Sequence, residues 1–108
     1  MKYGLKQKYI DQISSVLSTY PSVDKVLLYG SRAKGTYYQG SDIDLTFFGN
    51  SIELSLLMKI ENRLDDLLLP YYIDASIFDN IEDQDLRDHI NRVGVLFYEK
   101  KNYQKQHI

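Results

Sequence analysis

Two kinds of hydrophobic pattern alternate along this chain: stripes at helical spacing, and short apolar runs bounded by turn residues. Leu5, Tyr9, Ile13, Val16, Leu17 and Tyr20 fall three or four apart, which predicts an amphipathic helix over about 5–20, ended by Pro21. Val26-Leu27-Leu28-Tyr29, preceded by Val23 and closed by Gly30, reads as a buried strand. Residues 30 to 41 are turn-rich, punctuated by Gly30, Ser31, Gly35, Gly40 and Ser41. Ile43, Leu45, Phe47 and Phe48 predict a second strand, alternating at its start. Asn50 and Glu53 have the spacing of a capping box. The helix they open, over about 52–69, carries Leu56, Leu57, Ile60, Leu64, Leu67 and Leu68 on one face and stops at Pro70. Tyr71 to Phe78 is a third strand. A shorter helix over about 81–93 has Glu82, Asp83 and Asp85 near its positive end and Arg92 near its negative end. Gly94 suits the C′ position, and Val95-Leu96-Phe97-Tyr98 forms a last strand.

This order, with no repeat, low-complexity stretch or linker, predicts a single α/β domain of the α+β type. Its mixed sheet of three or four strands is flanked by helices, over residues 1–98. Residues 99–108 read as a polar, loosely held tail. A length of 108 residues allows one modest core, and 44% apolar with 26% charged residues is ordinary for a globular protein. The net charge of −2 argues against a nucleic-acid-coating surface, so no direct nucleic-acid binding is expected. With no cysteine, disulfides, thiolate zinc sites and a cysteine nucleophile are excluded. No apolar run approaches the ~18 residues of a membrane span, and the N-terminus lacks a signal-peptide core, so a cytoplasmic protein is expected.

The chemistry concentrates in Gly30-Ser31-Arg32-Ala33-Lys34-Gly35 and Gly40-Ser41-Asp42-Ile43-Asp44-Leu45. Asp42 and Asp44, one residue apart on a strand, project from the same face. Adjacent carboxylates repel unless a cation lies between them, and all-oxygen ligands suit Mg²⁺. Just upstream, a strand ending in Gly30 and leading into a short helical turn offers backbone N–H groups and the Ser31 hydroxyl to an anion. Arg32 and Lys34 add positive charge nearby, and Gly35 and Gly40 bracket a loop holding Tyr37 and Tyr38. Asp74 lies within Tyr71-Tyr72-Ile73-Asp74-Ala75-Ser76-Ile77-Phe78. A charge in so apolar a strand needs a partner or a metal, so Asp74 is the candidate third ligand. The three carboxylates are expected to converge within the span of a Mg²⁺ pair, ~3.5–4 Å between metals, with the site at one sheet edge.

Gly30-Ser31, ten residues, then Asp42-Ile43-Asp44 resembles the signature of the DNA polymerase beta-like nucleotidyltransferase superfamily. The fuller GSRAKG…GSDIDL is similar to its minimal nucleotidyltransferase branch in prokaryotes. The resemblance spans about Val23 to Tyr98 and implies the nucleotidyltransferase fold. It implies that Ser31 contacts the triphosphate, that Asp42 and Asp44 bind two Mg²⁺ ions, and that Asp74 is the third ligand. Larger relatives add a helical domain for which 108 residues leave no room. The resemblance therefore implies a hetero-oligomer with a small helical HEPN-type protein. In that pairing the helical protein is a toxin, and the nucleotidyltransferase is the antitoxin that moves AMP from ATP onto a toxin tyrosine.

Other readings compete. An Asp-x-Asp pair alone is common at turns and solvated strand ends. The Gly30–Thr36 stretch lacks the lysine a Walker A loop requires after Gly35. Asp42-Ile43-Asp44-Leu45-Thr46 spells a phosphatase DxDxT, but its apolar run follows the aspartates instead of preceding them. Leu45-Thr46-Phe47 denies an EF-hand. For Asp74 the competing reading is a strand-end carboxylate paired to a lysine or arginine. Arg32 and Lys34 could be ordinary loop cations, His89 a half-buried surface residue, and His107 carries no signal. Functionally, an active enzyme stands against a non-catalytic nucleotide-binding module that neutralises its partner by complex formation, and against transfer to a small molecule.

Overall fold

A computed structural model describes residues 1–101. Helix α1 (Gln7–Leu17) leads into β1 (Lys25–Tyr29), the short helix α2 (Gly30–Lys34) and β2 (Ile43–Phe48). Helix α3 (Leu54–Asp65), β3 (Ile73–Ile77), a 3₁₀ turn (Phe78–Asn80), α4 (Gln84–Val93) and β4 (Val95–Glu99) complete the chain. The strands form one mixed sheet in the order β3-β2-β1-β4. β1 runs antiparallel to β2 and β4, and β2 runs parallel to β3.

The alternation in β1 and β2 divides the sheet into two unequal faces. Val26, Leu28, Ile43, Leu45 and Phe47, all 0% exposed, face Ile10, Ile13, Val16 and Leu17 of α1 and Leu57, Ile60 and Leu64 of α3. Each such side chain contributes about 1.5–3 kcal/mol by leaving water. The opposite face carries a smaller cluster, Tyr29, Phe78 and Ile90, with Leu27, Phe48 and Leu86 against it. Phe48 and Phe78 stack there at 4.7 Å. Helix α4 thus covers only part of the second face.

The helices are shorter than their hydrophobic patterns. α1 stops at Leu17 because the Ser18 and Thr19 hydroxyls donate to the carbonyls of Ser15 and Val16, at 2.8 and 2.7 Å. The expected capping box at Asn50 is not formed. Glu53 is the N-cap, without a side-chain cap bond, because the chain stays extended long enough to seat Ile52 against the core. The helix also ends at Asp65, well before Pro70. Proline disfavours helical geometry in the residue before it, and Leu68 takes a left-handed φ of 54° and is 86% exposed instead of joining the buried face. Gly94 ends α4 with φ −61°, not the left-handed turn expected. Its lack of a side chain serves close packing, since a Cβ there would overlap the Ile90 carbonyl and crowd Leu27. Glu99 is still part of β4, and Lys100 ion-pairs with Asp24 at 2.8 Å. The rest of the expected tail, 102–108, lies outside the described residues. No helix among those described is long and apolar enough to cross a membrane.

Candidate active site

Three strands bring their ends together beside Gly30. Tyr29 is the register partner of Asp44, and Asp44 is the register partner of Asp74. Register partners project from the same side of a sheet, so Tyr29, Asp44 and Asp74 form a row across β1, β2 and β3. Ile43 and Leu45, fully buried, face the other way. Asp42 precedes β2 by one residue, and alternation carries it to the side of Asp44. The row lies on the face that α4 leaves partly open, at the side of the sheet where β3 is the edge strand.

Asp44 is partly buried, and its pKa is pushed up to about 6, first by burial, then by the charges of Asp74 and Asp42. Arg32 pulls it weakly the other way. The Tyr29 phenol, 7% exposed, is also raised, mainly by burial; the Ser76 hydroxyl opposes the shift, while Asp74 and Asp44 add to it. Excess negative charge therefore accumulates on this face. No lysine or arginine among the described residues ion-pairs with Asp42, Asp44 or Asp74, which removes the ion-pair account of Asp74 within that set.

Asp42 and Asp74 are exposed. Asp74 is therefore not the buried charge that its apolar strand suggests, and register alone places it beside Asp44. Among the described residues no group of three acidic or histidine side chains is preset as a metal site. Carboxylates that reach water and repel one another have no reason to approach. The donor set still fits a hard divalent cation, being all oxygen, on one face and short of positive charge.

Gly30 joins this row to the upstream motif. Its φ is 74°, a conformation that side-chain-bearing residues rarely adopt, and a Cβ there would overlap Asp44 Oδ2. Both the turn and the seat of Asp44 thus require glycine. Ser31, partly exposed, follows at the start of α2, and Lys34 is exposed at its end.

Arg32 departs from expectation. Expected to face phosphate, it is 2% exposed and turned into the protein. Its Nε and Nη2 donate to the Ser41 carbonyl at 3.0 and 2.8 Å, Nη1 to Tyr3 at 2.9 Å and Nη2 to Gln39 at 3.3 Å. Its guanidinium lies over the rings of Tyr71 and Tyr37, at 4.8 and 5.3 Å. Arg32 therefore ties the 35–41 loop and the N-terminal segment to α2. A donor fork so engaged has little left for a ligand.

Two residues of this region have places at the site that the letters do not reveal. His89 accepts the Gly30 N–H at Nε2, 3.3 Å away, and packs edge-on to Tyr29 at 6.2 Å. The only hint of it is helical spacing, three residues after Leu86 and one before buried Ile90. In the letters Tyr29 is merely the end of a buried strand. Its role in the row follows from a register that no local pattern reveals.

The family model described as polymerase beta, nucleotidyltransferase matches residues 11–103. No curated protein sequence matches the chain. Among solved structures, a chain of a toxin–antitoxin complex with AMP-PNP is similar, at TM-score 0.67 and 16% identity over 94% of this chain and 80% of that one. A chain of the MntA–HepT toxin–antitoxin complex has TM-score 0.64 and 14% identity, over 94% and 79%. A chain from tri-AMPylated Shewanella oneidensis HEPN toxin in complex with MNT antitoxin has TM-score 0.65 and 13% identity, also over 94% and 79%. At such identities the likeness is one of fold. The family match, which spans the Gly30-Ser31 turn and all three strands of the carboxylate row, goes further: the chain belongs to the polymerase beta nucleotidyltransferase family.

Proposed function

We propose that this domain transfers AMP from ATP onto a hydroxyl, a tyrosine of a HEPN-type helical partner, and acts in the cytoplasm as the antitoxin of that pair. The observation that carries the reading is the row Asp44–Asp74, with Asp42 beside it and the Gly30-Ser31 turn seated against Asp44. The tri-AMPylated HEPN toxin of one structural relative and the AMP-PNP of another support the nucleotide and the partner.

In this reading the acceptor oxygen attacks the α-phosphorus in line, a new P–O bond forms, and pyrophosphate departs. Two Mg²⁺ ions held by Asp42, Asp44 and Asp74 would supply Lewis-acid stabilisation of the charge on the reacting oxygens. The Ser31 hydroxyl and the backbone of the turn hold the triphosphate, and exposed Lys34 adds charge beside it. Asp74, on the open edge strand, orients the acceptor hydroxyl and receives its proton.

The test is incorporation of α-labelled ATP into the product of the neighbouring reading frame, with folding checked by circular dichroism. Asp44→Asn should lower labelling ~10³-fold or more. Asp74→Asn should still take up Mg·ATP yet fail to transfer. Labelling by Asp44→Asn equal to wild type would reduce the domain to a module that acts by complex formation alone.

A further inference from the structure

The turn that seats Asp44 is built from the most permissive residue of all. Glycine has no side chain to hold it at φ 74°, and it loses more freedom on ordering than any other residue. Something else must hold Gly30 where β1 leaves the sheet. Its N–H has left the strand ladder, and a half-buried donor needs an acceptor. That acceptor comes from α4, fifty-nine positions along the chain: His89 Nε2, at 3.3 Å.

We propose that His89 is a positioning residue for the nucleotide phosphates, holding the Gly30-Ser31 turn in the shape that receives them. The role rests on the nucleotidyltransferase reading above. An imidazole accepting at Nε2 carries its proton on Nδ1, so one tautomer serves the role. The ring packs edge-on against Tyr29, at 79° between planes, and the helix that carries it is anchored by the next residue, Ile90, fully buried beside Tyr29 and Phe78. Tyr29 is itself in the row with Asp44. Histidine, tyrosine and glycine thus link α4 to the carboxylate face, and a slip of Gly30 would move both Ser31 and the atom against which Asp44 Oδ2 rests.

Three variants separate hydrogen bonding from packing. His89→Phe keeps an aromatic ring against Tyr29 but has no acceptor. His89→Ala loses both. His89→Gln carries an acceptor oxygen at nearly the reach of Nε2. Amide hydrogen exchange at Gly30, followed by NMR in the nucleotide-free protein, should quicken about tenfold in the Phe and Ala variants and return toward wild type with Gln. The affinity for Mg·AMP-PNP, measured by calorimetry, should follow the same order, weakening about tenfold for Phe and Ala. Unchanged Gly30 exchange in His89→Phe would overturn the tether. Faster exchange with unchanged AMP-PNP affinity would overturn the positioning role while leaving the function standing. A wild-type protein that binds no Mg·AMP-PNP would overturn the nucleotidyltransferase reading and this role together, and the wild-type titration tells that case from the others.

Discussion

Asp44 holds a charge where burial and two neighbouring carboxylates disfavour one, and this leaves a mark on stability. Its native pKa of about 6 lies above the ordinary 3.8. Between those values the native chain keeps a proton that the unfolded chain has released, so stability falls as pH rises through the window. In chelator-treated protein, Asp44→Asn should be more stable than wild type at pH 7 by ~1 kcal/mol, after allowance for solvent screening. The advantage should shrink as pH falls toward 4, as thermal melts across the range would record; a constant difference would contradict the account. Arg32 poses the opposite case, a charge fully engaged by the protein. Arg32→Ala leaves three carbonyls short of a donor and should cost ~3 kcal/mol or more in urea unfolding. Arg32→Lys cannot reproduce the fork and should recover only part of it. A lysine variant that keeps its stability but loses nucleotide would return Arg32 to the phosphate site.

At the scale of elements, α4 is the piece that joins the sheet's second face to the Gly30 turn. Its start is fixed by Asp83, whose Oδ1 accepts the Asp85 N–H at 2.9 Å, and Asp83→Ala should lower stability by ~1 kcal/mol in urea unfolding. The existence and order of the elements were legible in the letters because apolar spacing directly reflects burial on α1, β1, β2 and α3. Their ends were not. The hydroxyls of Ser18 and Thr19, the need to seat Ile52 and the bend before Pro70 all act through tertiary packing that periodicity does not encode. The same division holds at the candidate site. Asp42, Asp44, Gly30 and Ser31 stand out because they are close in sequence, and Asp74 because it interrupts an apolar strand. The inward turn of Arg32 and the arrival of His89 depend on distant segments, the carbonyls of Tyr3 and Ser41 in one case and α4 in the other.

For the whole molecule, the two faces of the sheet are unequally protected. Among the described residues, fifteen buried side chains gather on the α1–α3 side and three on the α4 side. Opening on the α4 side should therefore be less costly. Native-state hydrogen exchange should find Leu28 and Leu45 among the slowest amides and those of α4 markedly faster; equal protection would mean that α4 opens only with the whole domain. The position of β3 at the rim of the sheet has another consequence. An unpaired strand rim is a template on which a second copy can add its own strand, the first step of fibrillar assembly. Here that rim carries an exposed aspartate at its second position, flanked by Asp44 on the strand behind it. Two such rims approaching one another would bring like charges together in a confined space. The aspartates of the row thus also set like charge against edge-to-edge pairing along β3.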